Sequence, residues 1–312
     1  MVRGPFLIGA WCLSAAMFAC SAADDPDGGT PRDAAVDAGS GDGGFVDSGA
    51  PDSGDAGGGP GDTGAGDGSY VAVPGQRCDH RTRVALLELS GSGAFPPNVS
   101  MIWDDRPAPW LTAPESSDSN CFFHRYPVSP NCTCSPSQVC DATNQCVDPP
   151  LPVPGLSLTV RGSSTQTFTG DGALYGGLQA SHSTYELQIQ GAGVTVSLAA
   201  TALPTELSNL EDSLIGTLDQ PDGLHISWDS VAGASRVYTQ VAINHHEGTP
   251  TFTECDVPAS NGQLHIDGAM LRPLAVITGL EFQGVRHVNF AAVELPGGCF
   301  EIRFTRVYPP GL

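Results

Sequence analysis

Histidines and acids are the side chains of this sequence that offer metal or acid–base chemistry. They form one close cluster along the sequence. His245, His246 and Glu247 are consecutive. A zinc-protease helix carries His-Glu-x-x-His, which puts both histidines on one helix face. Here Gly248-Thr249-Pro250 follows and ends any helix. We therefore expect a loop between two strands, with His245 and His246 retained only as candidate binding residues.

Aromatic residues give a second candidate site. Trp103 and Trp110 flank Asp104 and Asp105, and such a group could form an aromatic platform for a sugar. The alternative, which we favour, is that both tryptophans belong to the core of a small cross-linked module. Three further histidines, His225, His265 and His287, occupy alternate positions in strand-like runs, which predicts that they lie on the polar face of a sheet.

The absence of lysine excludes several functional classes. All 13 basic residues are arginines, against 34 acids, for a net charge of −21. Schiff-base and pyridoxal enzymes need a lysine amine, and P-loop proteins and kinases need a lysine on the phosphates. The negative charge also argues against nucleic acid, whose binding depends on cationic side chains.

No local motif points to catalysis. The sequence contains no Gly-x-Ser-x-Gly elbow. Adjacent acids such as Asp104/Asp105 or Glu211/Asp212 would point to opposite faces of a strand, which is wrong for a glycosidase pair. We expect no catalytic residue, no metal and no cofactor. The alternative is a secreted hydrolase or glycan-active enzyme whose site is dispersed along the sequence.

The N-terminus predicts export. Arg3 precedes an apolar run that ends at Ala19, and this run is too short to span a membrane. Ala19-Cys20 resembles the bacterial lipobox, and that resemblance implies a signal peptide at 1–19 and a lipid on Cys20. Cleavage after Ala23 by ordinary signal peptidase is the alternative. Because Ser21 replaces the aspartate that often signals inner-membrane retention, we expect the outer membrane.

A polar, acidic segment follows the cysteine. Residues 21–69 are mostly Asp, Gly, Ala, Ser and Pro, and they contain 11 aspartates. Such a segment cannot offset its ordering entropy by burying apolar surface. We therefore expect 20–69 to be a lipid anchor followed by a disordered linker.

Eight cysteines remain after Cys20, which in an exported protein predicts four disulfides. The Pro-rich stretch 149–154 separates them and predicts a boundary between a Cys-rich module at 70–148 and a second domain at 155–312. Cys255 and Cys299 are the cysteines of the second domain, and we expect them to pair. The first module holds the other six, whose 15 pairings stay open: Cys78, Cys121, Cys132, Cys134, Cys140 and Cys146.

The spacing Cys-x-Cys-x5-Cys-x5-Cys at 132–146 resembles EGF-like knots of secreted proteins. Zinc binding is the alternative, but Cys-x-Cys is not the usual zinc knuckle, and export disfavours free thiolates. We expect disulfides there.

Period-two alternation dominates the second domain. Runs at 185–189, 194–198, 224–228, 237–243 and 300–305 each predict a half-buried strand of an antiparallel sheet. Asn261-Gly262 predicts a hairpin, and 207–215 is the expected helix. Many short strands with turn-like spacing predict a mainly β chain whose second domain is an antiparallel β-sandwich.

A resemblance supports this fold class. The run 221–228, which ends in Trp228, and Tyr238 look like the second and third strands of fibronectin type III-like domains. The stretch from Leu156 onward also resembles repeats of poorly characterised envelope lipoproteins from high-GC Gram-negative bacteria. Both resemblances imply a fold, Ig- or fibronectin III-like, and neither implies a reaction.

We therefore expect a non-enzymatic lipoprotein of the cell envelope with a binding or purely structural module. Its expected partners are the membrane, through the lipid, and a glycan or an envelope protein. Residues 70–312 carry a net charge of about −12, which favours basic, cationic or neutral glycan partners over anionic ones.

Overall fold

The computed structural model describes residues 68–309, except 93–94, 112, 119, 126–131, 213–222, 244–250 and 276–279. The predicted signal peptide, Cys20 and the linker up to residue 67 lie outside the described residues, as do His245 and His246.

The described residues form twenty strands, one α-helix and one 3-10 turn. The strands are β1 (Ser69–Val71), β2 (Val73–Pro74), β3 (Arg83–Gly91), β4 (Asn98–Trp103), β5 (Ser116–Ser117), β6 (Cys121–Arg125), β7 (Val139–Cys140), β8 (Cys146–Val147), β9 (Leu156–Arg161), β10 (Thr165–Gly170), β11 (Ala173–Gly177), β12 (Tyr185–Gly191), β13 (Val194–Thr201), β14 (Glu211–Asp212), β15 (Leu224–Ser227), β16 (Arg236–Ile243), β17 (Thr251–Pro258), β18 (Gln263–Ile266), β19 (Leu280–Leu295) and β20 (Gly298–Tyr308). The 3-10 turn is Ala259–Asn261, and the helix, α1, is Gly268–Ala275.

The strands assemble into stacked sheets. The largest sheet has ten strands in the order β11-β4-β3-β20-β19-β16-β17-β6-β5, with β2 beside β19. Its pairs are antiparallel except β3 with β20. A second sheet runs β1-β13-β12-β9-β10, a third β14-β15-β18, and β7 pairs with β8. The predicted mainly β class and sandwich architecture are confirmed.

The first apolar core lies between the five-stranded sheet and the ten-stranded sheet. Leu87 of β3 and Phe304 of β20 belong to this core, together with Leu158 of β9 and Ile189 of β12. All four residues are fully buried. These residues occupy alternate strand positions, so a single face of each sheet supplies the core.

The second core lies under the other half of the same face of the ten-stranded sheet. Strand β19 contributes to both cores on one face. Ala291 belongs to the first core and Val285 to the second, and residues separated by an even number of positions lie on the same face of a strand. The second core contains Val237 of β16, Ile226 of β15 and Leu274 of α1. The three-stranded sheet and α1 thus cover the half that the five-stranded sheet leaves open.

Two local predictions were wrong. Residues 211–212 of the expected helix form strand β14, and the one α-helix of the described residues is α1, which contains Pro273. Asn261-Gly262 does not close a hairpin, because β17 and β18 belong to different sheets. Gly262 has φ 71° after the 3-10 turn, so Asn-Gly supplies a left-handed residue here and not a type I′ turn.

The predicted boundary at 149–154 does not separate two folded units. β3 of the supposed first module pairs with β20 of the second, and β6 pairs with β17. Alternation reports which face of a strand is buried but not which strand lies beside it. Strands far apart in sequence could therefore not be assigned to one sheet beforehand.

All eight cysteines form disulfides, but the predicted Cys255–Cys299 pair was wrong. Cys78 bonds to Cys299, with Cα atoms 5.6 Å apart, and Cys121 bonds to Cys255. Cys121 and Cys255 stand directly opposite each other in the register of β6 and β17.

The remaining bonds are local, Cys132–Cys140 and Cys134–Cys146, and they cross-link the expected Cys-rich knot. Four disulfides are typical of a protein that folds outside the reducing cytoplasm. Within the described ranges, no helix is both long and apolar enough to cross a membrane.

Non-reducing peptide mapping should recover one linked peptide pair containing Cys78 and Cys299 and another containing Cys121 and Cys255. Because the Cys78–Cys299 bond closes a sequence separation of 221 residues, chain entropy gives it a stabilisation of about 5 kcal/mol. Replacing both cysteines with alanine should therefore lower the free energy of unfolding by several kcal/mol.

The matched control is the double variant Cys132→Ala/Cys140→Ala, whose bond spans 8 residues and is worth about 2 to 3 kcal/mol by the same treatment. A peptide that links Cys255 to Cys299 would contradict the pairing. Equal losses in the two double variants would contradict the energetic argument.

Candidate functional site

The second face of the ten-stranded sheet is polar, and around the central strand β20 it is buried; we call it the polar face. In the central strand β20, Phe300, Ile302 and Phe304 enter the first core, while Glu301 and Arg303 point to the opposite face. Sequence alternation predicts an exposed polar side for this strand. Instead Glu301 is 0% exposed and Arg303 is 7% exposed. Both faces of β20 are therefore covered.

A short segment covers the polar face, residues 76–82, which we call the cover segment. The disulfide from Cys78 to Cys299 ties it to β20. The backbone N–H of Cys78 also donates to Oε2 of Glu301 at 2.9 Å. The cation of Arg77 lies 4.6 Å from the ring centre of Phe290 in β19. Covalent, hydrogen-bond and cation–π contacts together hold the segment over the sheet.

The carboxylate of Glu301 bridges two guanidinium groups. Arg303 donates from Nε to Oε1 at 2.7 Å, and Arg83 approaches the same oxygen at 3.2 Å. Burial alone would raise the pKa of Glu301, but the positive charges of Arg303 and Arg83 hold that pKa below its usual value. The side chain is therefore ionised at neutral pH, as a buried acid between two cations must be.

A second carboxylate has the same arrangement. Asp256 of β17 accepts from Nε of Arg236 at 2.6 Å, and its other oxygen pairs with Arg77 of the cover segment. Asp256 is 9% exposed. Four arginines thus share two buried carboxylates, which leaves positive charge on this face that these two acids do not neutralise.

Between the cover segment and the sheet lies a cavity of about 680 Å³. Five arginines line it: Arg77, Arg81, Arg83, Arg286 and Arg303. Three carboxylates line it: Asp79, Glu88 and Glu254. Five of the 13 arginines therefore meet at one cavity in a protein whose net charge is −21.

Aromatic rings form part of the same wall. Tyr238 of β16 donates its hydroxyl to Glu254 at 3.1 Å, and burial raises the pKa of Tyr238 well above its usual value. Phe122, 37% exposed, and Phe252 also line the cavity. Burial would raise the pKa of Glu254, but the hydrogen bond from His124 and nearby positive charge lower it to about 2.

Two side-chain groups have the composition of metal sites. Cys132, Cys134 and Cys140 lie close together, but all three are in disulfides and offer no thiolate. His80, His124 and Glu254 each bring one ligand atom within 4.8 Å of the others. These three residues belong to the cavity wall.

The tryptophans predicted to bind a sugar or form a core are not brought together as a platform. Trp103 is 2% exposed and packs edge-on against Phe300, with ring centres 5.0 Å apart. It belongs to the first core, between the two large sheets, and not to the core of a small separate module as predicted, and it lies out of reach of a ligand. Trp110 is half-buried in the segment after β4.

The histidine predictions were right for two residues and wrong for one. His225 and His265 are exposed and stand opposite each other on β15 and β18, with ring centres 4.1 Å apart. His287 is 0% exposed. Its Nδ1 lies 2.8 Å from the carbonyl oxygen of Thr205, and burial lowers its pKa. It faces inward because β19 is covered on both sides.

None of the charged residues of the cavity was predicted from the sequence. They come from the cover segment, β3, β17, β19 and β20, and no local spacing links them. A weak signal was available in β20, where Glu301 and Arg303 interrupt an otherwise apolar run. Such a pair in a central strand has to be compensated by charges from elsewhere.

Comparison with known proteins assigns no family. No family of known proteins and no curated protein matches the chain. Among solved structures, a crystal structure of chicken CNTN1 FN1–FN3 domains is similar over 73% of this chain and 69% of that chain. The identity is 10% and the TM-score is 0.20, so this similarity carries no argument about activity or partners.

Replacing Glu301 with glutamine should strongly destabilise the protein, because Arg83 and Arg303 would then share no negative charge. Breaking a buried ion pair from one side costs about 3–5 kcal/mol. The pKa of Glu301 is lowered on folding, so its contribution is present above the unfolded value of about 4.3 and is lost as the pH falls through the folded value. Denaturant unfolding at several pH values would measure this.

Glu206→Gln is the matched control, since Glu206 pairs with Arg306 at 3.5 Å while its side chain is 65% exposed. Its loss should be below about 1 kcal/mol. If the two variants unfold at the same denaturant concentration at pH 7, the role given to Glu301 is wrong.

Proposed function

We propose that this chain is a lipid-anchored protein of the cell envelope that binds an acidic saccharide in the cavity of the polar face without carrying out a reaction on it. The observation behind the proposal is the set of five cavity arginines in a protein with a charge of −21. A concentration of cationic side chains at one cavity favours an anion as its ligand, even in a protein with a negative overall charge.

The geometry favours an oxyanion ligand. Asp256 and Glu301 are each shared by two arginines, so the guanidinium groups keep donors for a further acceptor. Arginine presents several N–H donors in a fixed plane, which matches a carboxylate or sulfate. The overall negative charge disfavours anionic partners. However, salt screens the distant exposed acids, whereas the arginines act on a ligand in the cavity at short range and with less screening.

The size and the aromatic lining favour a saccharide. About 680 Å³ lies within the range of cavities that hold small molecules. Phe122 and Phe252 add apolar ring surface to the charged wall, and sugar rings pack their C–H faces on such surfaces. An acidic sugar residue combines both requirements, and cell envelopes present such sugars in abundance.

The anchor explains how the cavity would be presented. Cys20 would follow the proposed signal peptide at 1–19, and the acidic linker joins it to β1, which begins at Ser69. A lipid on Cys20 would hold the folded part at a membrane, for which we propose the outer membrane. The linker would let the cavity reach glycans or proteins away from the lipid surface.

Lipidation is tested by expression in a Gram-negative host with labelled palmitate. The wild-type protein should incorporate label and partition into detergent, and Cys20→Ser should do neither, because the thiol is the acceptor of the diacylglyceryl group. Cys12→Ser, in the signal peptide, is the control and should leave labelling unchanged. Equal labelling of the Cys20→Ser protein would overturn the anchor.

Binding is tested with a uronate-containing oligosaccharide and the same oligosaccharide after reduction of its carboxyl groups. We expect the acidic form to bind at least tenfold more tightly, and added salt to weaken it. Arg286→Gln should weaken it about tenfold or more, since a hydrogen bond to a charged group is worth about 1.5–3 kcal/mol.

Arg161→Gln is the matched control, because Arg161 is exposed on β9 in the other sheet and donates to Gln188. It should bind as the wild type does. Equal affinity for the acidic and the reduced saccharide would overturn the ligand class. Saturable cleavage of either saccharide would overturn the non-enzymatic interpretation in favour of a glycan-active enzyme.

A further inference from the structure

Two histidines and a glutamate meet at one end of the cavity. His80 comes from the cover segment, His124 from β6 and Glu254 from β17. One ligand atom from each lies within 4.8 Å of the other two. The rings of His80 and His124 are perpendicular, with centres 4.6 Å apart. This cluster is distinct from the arginine–carboxylate pairs that support the proposed function.

The sheet fixes two of the three residues. In the register of β6 and β17, His124 stands opposite Phe252, and Glu254 stands opposite Phe122. His124 and Glu254 are therefore diagonal neighbours on one face. The Cys121–Cys255 disulfide cross-links the same two strands, so the spacing of these side chains cannot drift by strand slippage.

A second disulfide and a turn place the third residue. His80 follows Cys78, which is bonded to Cys299. In the turn at 79–82 the N–H of Thr82 donates to the carbonyl of Asp79 at 3.0 Å. Oδ1 of Asp79 lies 3.5 Å from Nδ1 of His80. A carboxylate beside one ring nitrogen is the usual support of a metal-bound histidine, because it leaves the other nitrogen for the metal.

The atom spacing suits a tetrahedral ion. Nε2 of His124 lies 3.3 Å from Oε1 of Glu254. Two ligand atoms bound at 2.0–2.1 Å around tetrahedral zinc are about 3.3 Å apart. The ligand atom of His80 lies within 4.8 Å of the other two, so a closure of at most about 1.5 Å would complete the set. Imidazole with a carboxylate suits zinc and its neighbours, whereas calcium and magnesium prefer all-oxygen sites.

Hydrogen bonding within the described residues does not account for His124. Its side chain is 2% exposed, and its Nδ1 is buried without a partner among the described residues. A buried imidazole with an unpaired nitrogen is rare in native proteins because the desolvated group gains nothing in return. A metal bond at Nε2 would hold the ring at this buried position, while the N–H at Nδ1 would still require an acceptor such as a water.

We propose that His80, His124 and Glu254 bind one divalent transition-metal ion, of which zinc fits best. Three protein ligands leave a fourth position for water or for an oxygen of a ligand in the cavity. The ion would join the cover segment to β6 and β17. It would therefore stabilise the cavity as well as add a positive charge to it.

The test uses the full-length protein in detergent, stripped with a chelator and titrated with zinc or cobalt(II) in the absence of saccharide. We expect one ion per chain, a cobalt spectrum typical of tetrahedral coordination, and a rise in melting temperature with metal. His80→Ala and Glu254→Gln should each weaken binding at least about a hundredfold, because even outer-shell partners are worth 10–100-fold. Both metal-free variants should show the wild-type circular dichroism spectrum.

His225→Ala is the matched control, because His225 and His265 form a separate exposed histidine pair on β15 and β18. It should bind metal as tightly as the wild type. Wild-type affinity in His80→Ala, loss of binding in His225→Ala, or equal affinity for calcium and zinc would each overturn the site. Saccharide binding measured with chelator present tests the proposed function separately.

Discussion

The polar face of this structure depends on the ion pairs that the buried carboxylate of Glu301 forms with Arg83 and Arg303. The strand of Glu301, β20, lies between β3 and β19 and is covered on both faces. A charge in that position is tolerable only if it is paired and fully hydrogen-bonded. Arg83 and Arg303 provide the pairing, and the backbone of Cys78 provides a further hydrogen bond. One side chain thereby connects a central strand, the cover segment and the cavity wall.

The two faces of the ten-stranded sheet therefore have different roles. One face carries two separate apolar cores, which supply the burial that any domain of this size needs. The other face is free to carry charge because the first face already provides that burial. Strands and disulfides hold the charged side chains of that face in place, and these side chains do not have to supply apolar burial.

The sequence predicted which residues form strands, but it did not predict which strands lie side by side in a sheet. Alternation at 300–305 identified Phe300 and Phe304 as core, because a strand's two faces differ in polarity wherever one of them packs on an apolar layer. It also assigned Arg303 to solvent, because a paired buried ion and an exposed ion look the same in one sequence. The cavity escaped prediction for the same reason as the Cys121–Cys255 bond: both depend on which distant strands lie side by side.

The two long disulfides have a consequence for the order of events when the chain leaves the cytoplasm. Their separations of 221 and 134 residues are nested, one within the other, and the local bonds of the Cys-rich knot lie inside both. A thiol that emerges first, such as Cys78, waits until almost the whole polypeptide has crossed before its partner appears. An oxidant that joined cysteines in order of emergence would trap Cys78 with Cys121. Correct maturation of this protein therefore calls for late oxidation or for an isomerase that reopens early bonds, and secretion yield becomes a matter of catalysed thiol exchange as much as of sheet stability.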